Sequence, residues 1–210
     1  PRTALDTNGR GGMMHTALNW PEFNARYDCL LGANLSDEFP ENRHIMWRRL
    51  RLYCSYKATS LPLDSSTLES SKAIDGRCVL TFHIPVGLGH SVRIRLSAAM
   101  LDDKNATLVT LHRLPARSPQ CLPDHEEISL VIRPDIEDRN FHMETKAHGN
   151  LEDIWNKCIS PEENSFTFSP DAGRILKMTS EAPFVSKSEW SYNNKMRLEA
   201  ERGLQSESDL

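Results

Sequence analysis

The strongest constraint on what this chain can fold into is a period-two alternation of apolar and polar residues that recurs along its length. Val92, Ile94 and Leu96 alternate with Ser91, Arg93 and Arg95; Leu50, Leu52, Cys54 and Tyr56 keep the same spacing, as do Ile128, Leu130 and Ile132. Side chains two apart share one face of a pleated strand, so each run predicts a strand with one buried and one solvated face. Ile45 and Trp47 fall in the opposite phase from Leu50 and Leu52, and a β-bulge near Arg48 would join both halves into one long strand. Tyr27–Leu35, nearly continuously apolar, predicts a strand buried on both faces.

Turn signals separate these runs: Asp75-Gly76, Asp102-Asp103-Lys104-Asn105 and Asp171-Ala172-Gly173, residue types that tolerate the left-handed backbone of tight hairpins. Two short segments carry helical patterning. Leu151, Ile154, Trp155 and Cys158 share one helical face with Asn150 at the capping position, and Lys195–Arg202 is rich in helix formers and stops at Gly203. Many short strands with few helices predict an all-β antiparallel sandwich. With 39% hydrophobic residues among 210, the chain has the material for one sizeable core.

The formal net charge of -4 gives no electrostatic case for nucleic acid or an anionic membrane. No apolar run approaches the roughly 18 residues that span a bilayer, and the opening Pro1-Arg2-Thr3-Ala4-Leu5-Asp6 lacks a signal peptide's apolar stretch. The five cysteines, Cys29, Cys54, Cys78, Cys121 and Cys158, are odd in number and form no CxxC pair, the pattern of free thiols in the cytoplasm. Asn34-Leu35-Ser36 and Asn105-Ala106-Thr107 match the N-glycosylation pattern and, without a secretion signal, are read as coincidental.

Candidate chemistry is sparse. Thr7-Asn8-Gly9-Arg10-Gly11-Gly12 is glycine-rich, but no helical pattern follows and the Lys and Ser/Thr ending of a P-loop is missing, so a tight turn entering a strand is expected. None of the histidines has metal-ligand spacing, and no metal or other cofactor is expected. Arg133-Pro134-Asp135-Ile136-Glu137-Asp138-Arg139-Asn140-Phe141-His142 places five charged residues and a histidine directly after an apolar strand. Glycoside hydrolysis needs two carboxyl groups roughly 5–10 Å apart across a bond, and neighbours such as Glu137 and Asp138 point away from each other. The expectation is an ion-paired segment at or just past a sheet edge, with Arg133 and Arg139 forking to the local Asp135, Glu137 and Asp138. No catalytic residue is assigned. The four tryptophans, Trp20, Trp47, Trp155 and Trp190, are few and scattered, as core residues are.

Several of these segments resemble one family. The opening Leu5–Gly12, with Asn8, Gly9 and Gly11, is similar to the "TNG.GG" start of bacterial and archaeal glycogen-debranching enzymes of the amylo-α-1,6-glucosidase type. Ala25-Arg26-Tyr27-Asp28-Cys29-Leu30-Leu31 resembles their "TRxYHGLL" segment, with Asp28 and Cys29 where the commoner form has His and Gly. Arg133–His142 looks like the signature of a divergent branch, and Glu199-Ala200-Glu201-Arg202-Gly203-Leu204 resembles the segment preceding the catalytic domain. The resemblance implies an N-terminal β-supersandwich over 1–204, a linker at 205–210, and a following (α/α)6 barrel that hydrolyses α-1,6-glucosidic branch linkages in the same parent chain. That barrel is the implied partner, and an α-glucan, glycogen or limit dextrin, the implied ligand. Arg133, Asp135, Glu137, Asp138, Arg139 and His142 are then candidates for a domain interface or a glucan contact.

Two other readings compete. An independent carbohydrate-binding module would show exposed, coplanar aromatics on a sheet face. A small sugar-modifying enzyme on a sandwich fold would bring a histidine and a carboxylate together in one pocket.

Overall fold

A computed structural model describes residues 2–36 and 42–210. Four antiparallel sheets and two short helices are built from them. The first sheet contains β1 (Thr3–Thr7), β2 (Met13–Ala17), β3 (Cys29–Asn34), β4 (Arg43–Tyr56) and β10 (Ser129–Asn140) in that spatial order, with β5 (Thr59–Pro62) also paired to β4. The second runs β6 (Leu68–Ile74), β7 (Arg77–Gly87), β8 (His90–Met100) and β9 (Thr107–Arg113). Smaller sheets hold β11 (Ile159–Pro161), β12 (Ser165–Asp171) and β13 (Arg174–Thr179), and β14 (Asn194–Lys195) with β15 (Glu207–Ser208). The all-β antiparallel expectation holds.

The two large sheets share one core. Ala4, Met14, Leu30, Leu50, Leu52 and Cys54 from the first pack in a single buried cluster with Leu80, Phe82, Ile84, Val92, Ile94 and Leu96 from the second. The alternation read in β8 is the observed one, with Val92, Ile94 and Leu96 inward and Arg95 outward. Strand β3 is buried at every position and lies between β2 and β4, as its unbroken apolarity predicts. Asp75 and Gly76, both at positive φ, make the two-residue turn between β6 and β7.

The bulge expected near Arg48 is present. Asp135 of β10 pairs with Arg49 and Ile136 with Trp47, so Arg48 is the extra residue on β4. It carries the strand from the phase of Ile45 and Trp47 into that of Leu50 and Leu52. It also leaves Met46, Trp47 and Arg48 consecutively buried.

Three segments differ from the sequence expectation or add to it. First, Arg133–Asn140 lies at a sheet edge but not past the end of the strand: β10 continues through Asn140, and its burial is inverted. The apolar end is open, with Val131 and Ile132 exposed, whereas Asp135, Glu137 and Arg139 are buried on the face opposite Leu130 and Ile136, which pack against the core. Pro134 is tolerated because β10 is an edge strand, where a missing N–H costs no ladder bond. Second, residues 205–210 pack against the rest of the chain. Glu207 and Ser208 pair with Lys195 and Asn194, Asp209 accepts hydrogen bonds from the Ala147 and Asn193 N–H groups, and Leu210 is buried with Phe23 and Met196. Third, both helices are shorter or looser than their patterns. α1 (Leu151–Lys157) has no fully buried residue and no side-chain cap from Asn150, and α2 covers Arg197–Glu201 before the chain turns at Gly203.

Candidate functional site

The buried charged side chains of β10 meet the loop between β2 and β3 and the C-terminal helix in a buried ionic network. Because β10 is a strand, Asp135, Glu137 and Arg139 share one face and Asp138 points the other way. Glu137 is 0% exposed and accepts from the Arg139 Nε at 2.8 Å. The rest of the Arg139 guanidinium is taken up by main-chain carbonyls: Met143 at 2.6 Å, Arg26 at 2.6 Å and Phe141 at 3.3 Å. Arg48, delivered inward by the bulge and 2% exposed, donates to the carbonyls of Arg26 at 2.6 Å and Ala25 at 3.0 Å. Its guanidinium lies 4.2 Å from the centre of the Phe23 ring. Two buried arginines therefore clamp the main chain of the Ala25–Arg26 loop.

Asp28 holds that loop from the other side. Its Oδ2 accepts from the Asn24 N–H at 2.5 Å and the Ala25 N–H at 3.0 Å, and its Oδ1 lies 2.7 Å from His15 Nδ1. Arg26 completes the junction. Its N–H donates to Glu199 Oε1 at 3.1 Å, and its guanidinium reaches Glu144 Oε1 at 3.4 Å, Glu199 Oε2 at 3.5 Å and the His142 carbonyl at 3.1 Å. Burial lowers the pKa of Arg48, although Glu137 opposes the shift, and raises that of the Glu144 carboxyl. Burial also pushes the neighbouring Cys29 thiol up to about 12. Three arginines (Arg26, Arg48, Arg139) face four carboxylates (Asp28, Glu137, Glu144, Glu199), and neither Glu144 oxygen has a hydrogen-bond donor among the described residues.

An aromatic edge lies over the network. The Tyr27 and Phe141 ring centres are 5.4 Å apart, those of Phe141 and His142 4.0 Å, and Tyr27 Oη is 3.2 Å from His142 Nδ1. Tyr27 and Phe141 are half-buried, and His142 and Met143 are exposed. The Arg43 guanidinium sits 5.5 Å from the Phe141 ring and donates to the Gly11 carbonyl, tying this edge to the glycine-rich turn between β1 and β2. In that turn Asn8 Oδ1 accepts from the Arg10 and Gly12 N–H groups, both at 2.9 Å, and Asn8 Nδ2 donates to Lys104 and Asn105. Gly9 and Gly11 have φ of +73° and +85°, and a Cβ on Gly12 would come within 2.6 Å of Asn8 Nδ2. The turn is a structural hairpin, as its sequence context indicates.

Of the sequence-derived candidates, the structure brings Glu137, Arg139 and His142 to one place with Arg26 and Tyr27, and sends the others elsewhere. Asp135 is held by Arg49 and Arg51, Asp138 by a fork from Arg174 at 2.7 and 2.9 Å, and Arg133 by Glu189 at 2.9 Å. The expected local forks are thus replaced by partners distant in sequence, except for Arg139–Glu137. Sequence reasoning missed Arg48, Asp28, Glu144, Glu199 and His15. The phase break at Arg48 and the departure at Asp28 were the available signals, whereas Glu144 and His15 had none. Glu137 and Glu199 are each 0% exposed, so neither carboxyl faces an open cleft. Trp20 and Trp47 are core residues, and Trp155 and Trp190 stack on each other with centres 5.3 Å apart. Among the described residues no group of three or more His, Cys, Asp or Glu is placed to hold a metal ion, and no helix is long and apolar enough to cross a membrane.

Three of the four segments that carried the sequence resemblance therefore converge on Arg26, and the fourth joins them through Arg43. Comparison with curated proteins and with solved structures gives no match. The family model described as "Glycogen debranching enzyme N terminal" matches residues 2–210, and the chain belongs to that family.

Proposed function

We propose that this chain is the non-catalytic N-terminal domain of a cytoplasmic glycogen-debranching enzyme. It packs through the Tyr27–Phe141–His142 edge against the domain of the parent chain that hydrolyses α-1,6-glucosidic linkages, and shapes the glucan cleft there. The observation that carries this reading is the convergence on Arg26. The loop Ala25–Leu31, the end of β10 and the helix at Glu199 are fixed to one another by buried charge, and the group they present to solvent is aromatic. Ion networks of this kind are costly to desolvate and are tolerated where they fix one geometry. A rigid, partly apolar edge is what an interdomain contact needs. The burial of Glu137 and Glu199 favours chemistry located elsewhere, and five unpaired thiols suit a reducing compartment.

A carbohydrate-binding module is less well supported, because two of the four tryptophans are buried and the other two stack on each other rather than forming a platform. A sugar-modifying enzyme would use a close histidine–carboxylate pair; among the described residues that is His15–Asp28, but Asp28 is 2% exposed and already occupied by main-chain N–H groups.

The test has two arms. The 210-residue chain incubated with limit dextrin should release no glucose. In the full-length parent enzyme, replacing Tyr27 and Phe141 by alanine should lower glucose release and uncouple the unfolding of the two domains. Glucose release by the isolated chain, or a full-length variant indistinguishable from the parent, overturns the reading.

A further inference from the structure

We propose that the outer face of the β6-β7-β8-β9 sheet is a binding site for a phosphate monoester or phosphate ion. The inner face of this sheet is the core, so its outward positions answer only to solvent or a ligand. Across them runs one row of opposed residues: Ser70 against Thr81, Thr81 against Arg95, and Arg95 against His112. One step along β8, Arg93 opposes His83. Arg93, Arg95, His112 and Arg117 line a hollow of about 360 Å³, and Lys72, Thr81 and again Arg95 line an adjoining one of about 270 Å³. Among the described residues no carboxylate lines either.

The charge here runs against the rest of the molecule. The chain carries a net charge of -4, yet this face concentrates Lys72, Arg93, Arg95 and Arg117 with two histidines. Only Arg93 is neutralised, by Glu69 at 2.6 Å; among the described residues Lys72, Arg95 and Arg117 have no carboxylate within 4.0 Å. Like charges gathered on one face repel, so an arrangement of this kind is complementary to a multivalent anion. Guanidinium groups bind phosphate through paired N–H donors, and the Ser70 and Thr81 hydroxyls and the His112 ring add further hydrogen-bonding groups along the same row. The larger hollow is in the size range of small-molecule sites, roughly 300–1,000 Å³. The face is separate from the Tyr27–Phe141 edge, and the inference does not rest on the docking reading.

The experiment is calorimetric titration of the chain with inorganic phosphate, glucose 6-phosphate and glucose at low ionic strength. Saturable binding of both phosphates and none of glucose is expected. Tighter binding of glucose 6-phosphate than of inorganic phosphate assigns the source to a sugar ester, and equal affinity assigns it to the phosphoryl group alone. Arg95 and Arg117 are exposed, so the Arg95→Ala/Arg117→Ala double variant should fold normally and bind at least tenfold more weakly. Arg10→Ala, an exposed arginine elsewhere, should bind as the parent does. Absence of saturable phosphate binding, or binding that the double variant retains, overturns the proposal and leaves a solvated basic face.

Discussion

Arg139 and Glu137 lie two residues apart on one face of β10, and their side chains meet at 2.8 Å with only 4% and 0% of their surface exposed. A pair this deep is held by its geometry: each ion has lost its water, and the remaining Arg139 donors are satisfied by three carbonyls.

Arg139→Ala therefore leaves Glu137 as an uncompensated buried charge and frees three carbonyls. The expected loss is about 3–5 kcal/mol, which for a domain of this size lowers the unfolding midpoint by roughly 6–20 °C. The double variant Glu137→Leu/Arg139→Met should recover much of it, because apolar replacement of both partners removes the stranded charge. Thermal unfolding of the three proteins checks this, and a midpoint unchanged in Arg139→Ala would show that water, not protein, supports the pair.

How much of this was legible beforehand varies by element. The β8 alternation is a local property, since each residue's face follows from its own position along a strand, and it was read correctly. The Arg48 bulge was legible because one strand cannot hold two phases without an extra residue. The inverted burial of β10 was not. Val131 and Ile132 look like core and Asp135, Glu137 and Arg139 like surface until the counter-ions arrive, and those of Asp135, Arg49 and Arg51, lie more than eighty residues away in sequence. Ion pairing carries no sequence period, so local partners were expected in place of distant ones.

Glu144 supplies a pH dependence. Its pKa is raised above the ordinary 4.5 by burial first, with Glu137 adding to the shift and Arg139, Arg48 and Arg26 opposing it. In the window above 4.5 and below the raised value the folded state holds a proton that the unfolded chain has lost. Stability contributed by this group is therefore lost as pH rises through that window. Glu144→Gln keeps the shape without the charge. Its midpoint should exceed that of the parent at pH 7.5, and the two should converge toward pH 4.5. A variant less stable than the parent at neutral pH would show that the Arg26 contact outweighs the burial.

Asn8 tests the glycine-rich turn. Its side chain makes four hydrogen bonds, two to the turn's own N–H groups and two across to the β8–β9 loop. Asn8→Ala should cost about 1–3 kcal/mol by leaving buried groups unpaired. Asn8→Asp keeps the acceptor but turns a carboxylate oxygen toward the Lys104 carbonyl and Asn105 Oδ1, so it should not rescue the loss. Denaturant midpoints of the two variants decide it; an aspartate variant as stable as the parent would mean that the cross-loop donors are dispensable.

Asp28 is the residue on which the loop geometry turns. It stands where the commoner form of the motif has histidine, and it gathers the N–H groups of Asn24 and Ala25 onto one oxygen. The carbonyls of the same loop, those of Ala25 and Arg26, are the ones Arg48 and Arg139 use. Removing the carboxylate thus frees two donors and misplaces the acceptors of two buried guanidinium groups. Asp28→Ala should be about as damaging as Arg139→Ala, roughly 3 kcal/mol or more. Because both act through the same loop, their effects should fall short of additive when combined. Asp28→Asn keeps an oxygen for the two N–H groups and should retain most of the stability. A double-variant cycle between positions 28 and 139, read by chemical denaturation, measures the coupling. Strict additivity would mean that the loop holds its shape without Asp28, and the network would then reduce to independent pairs.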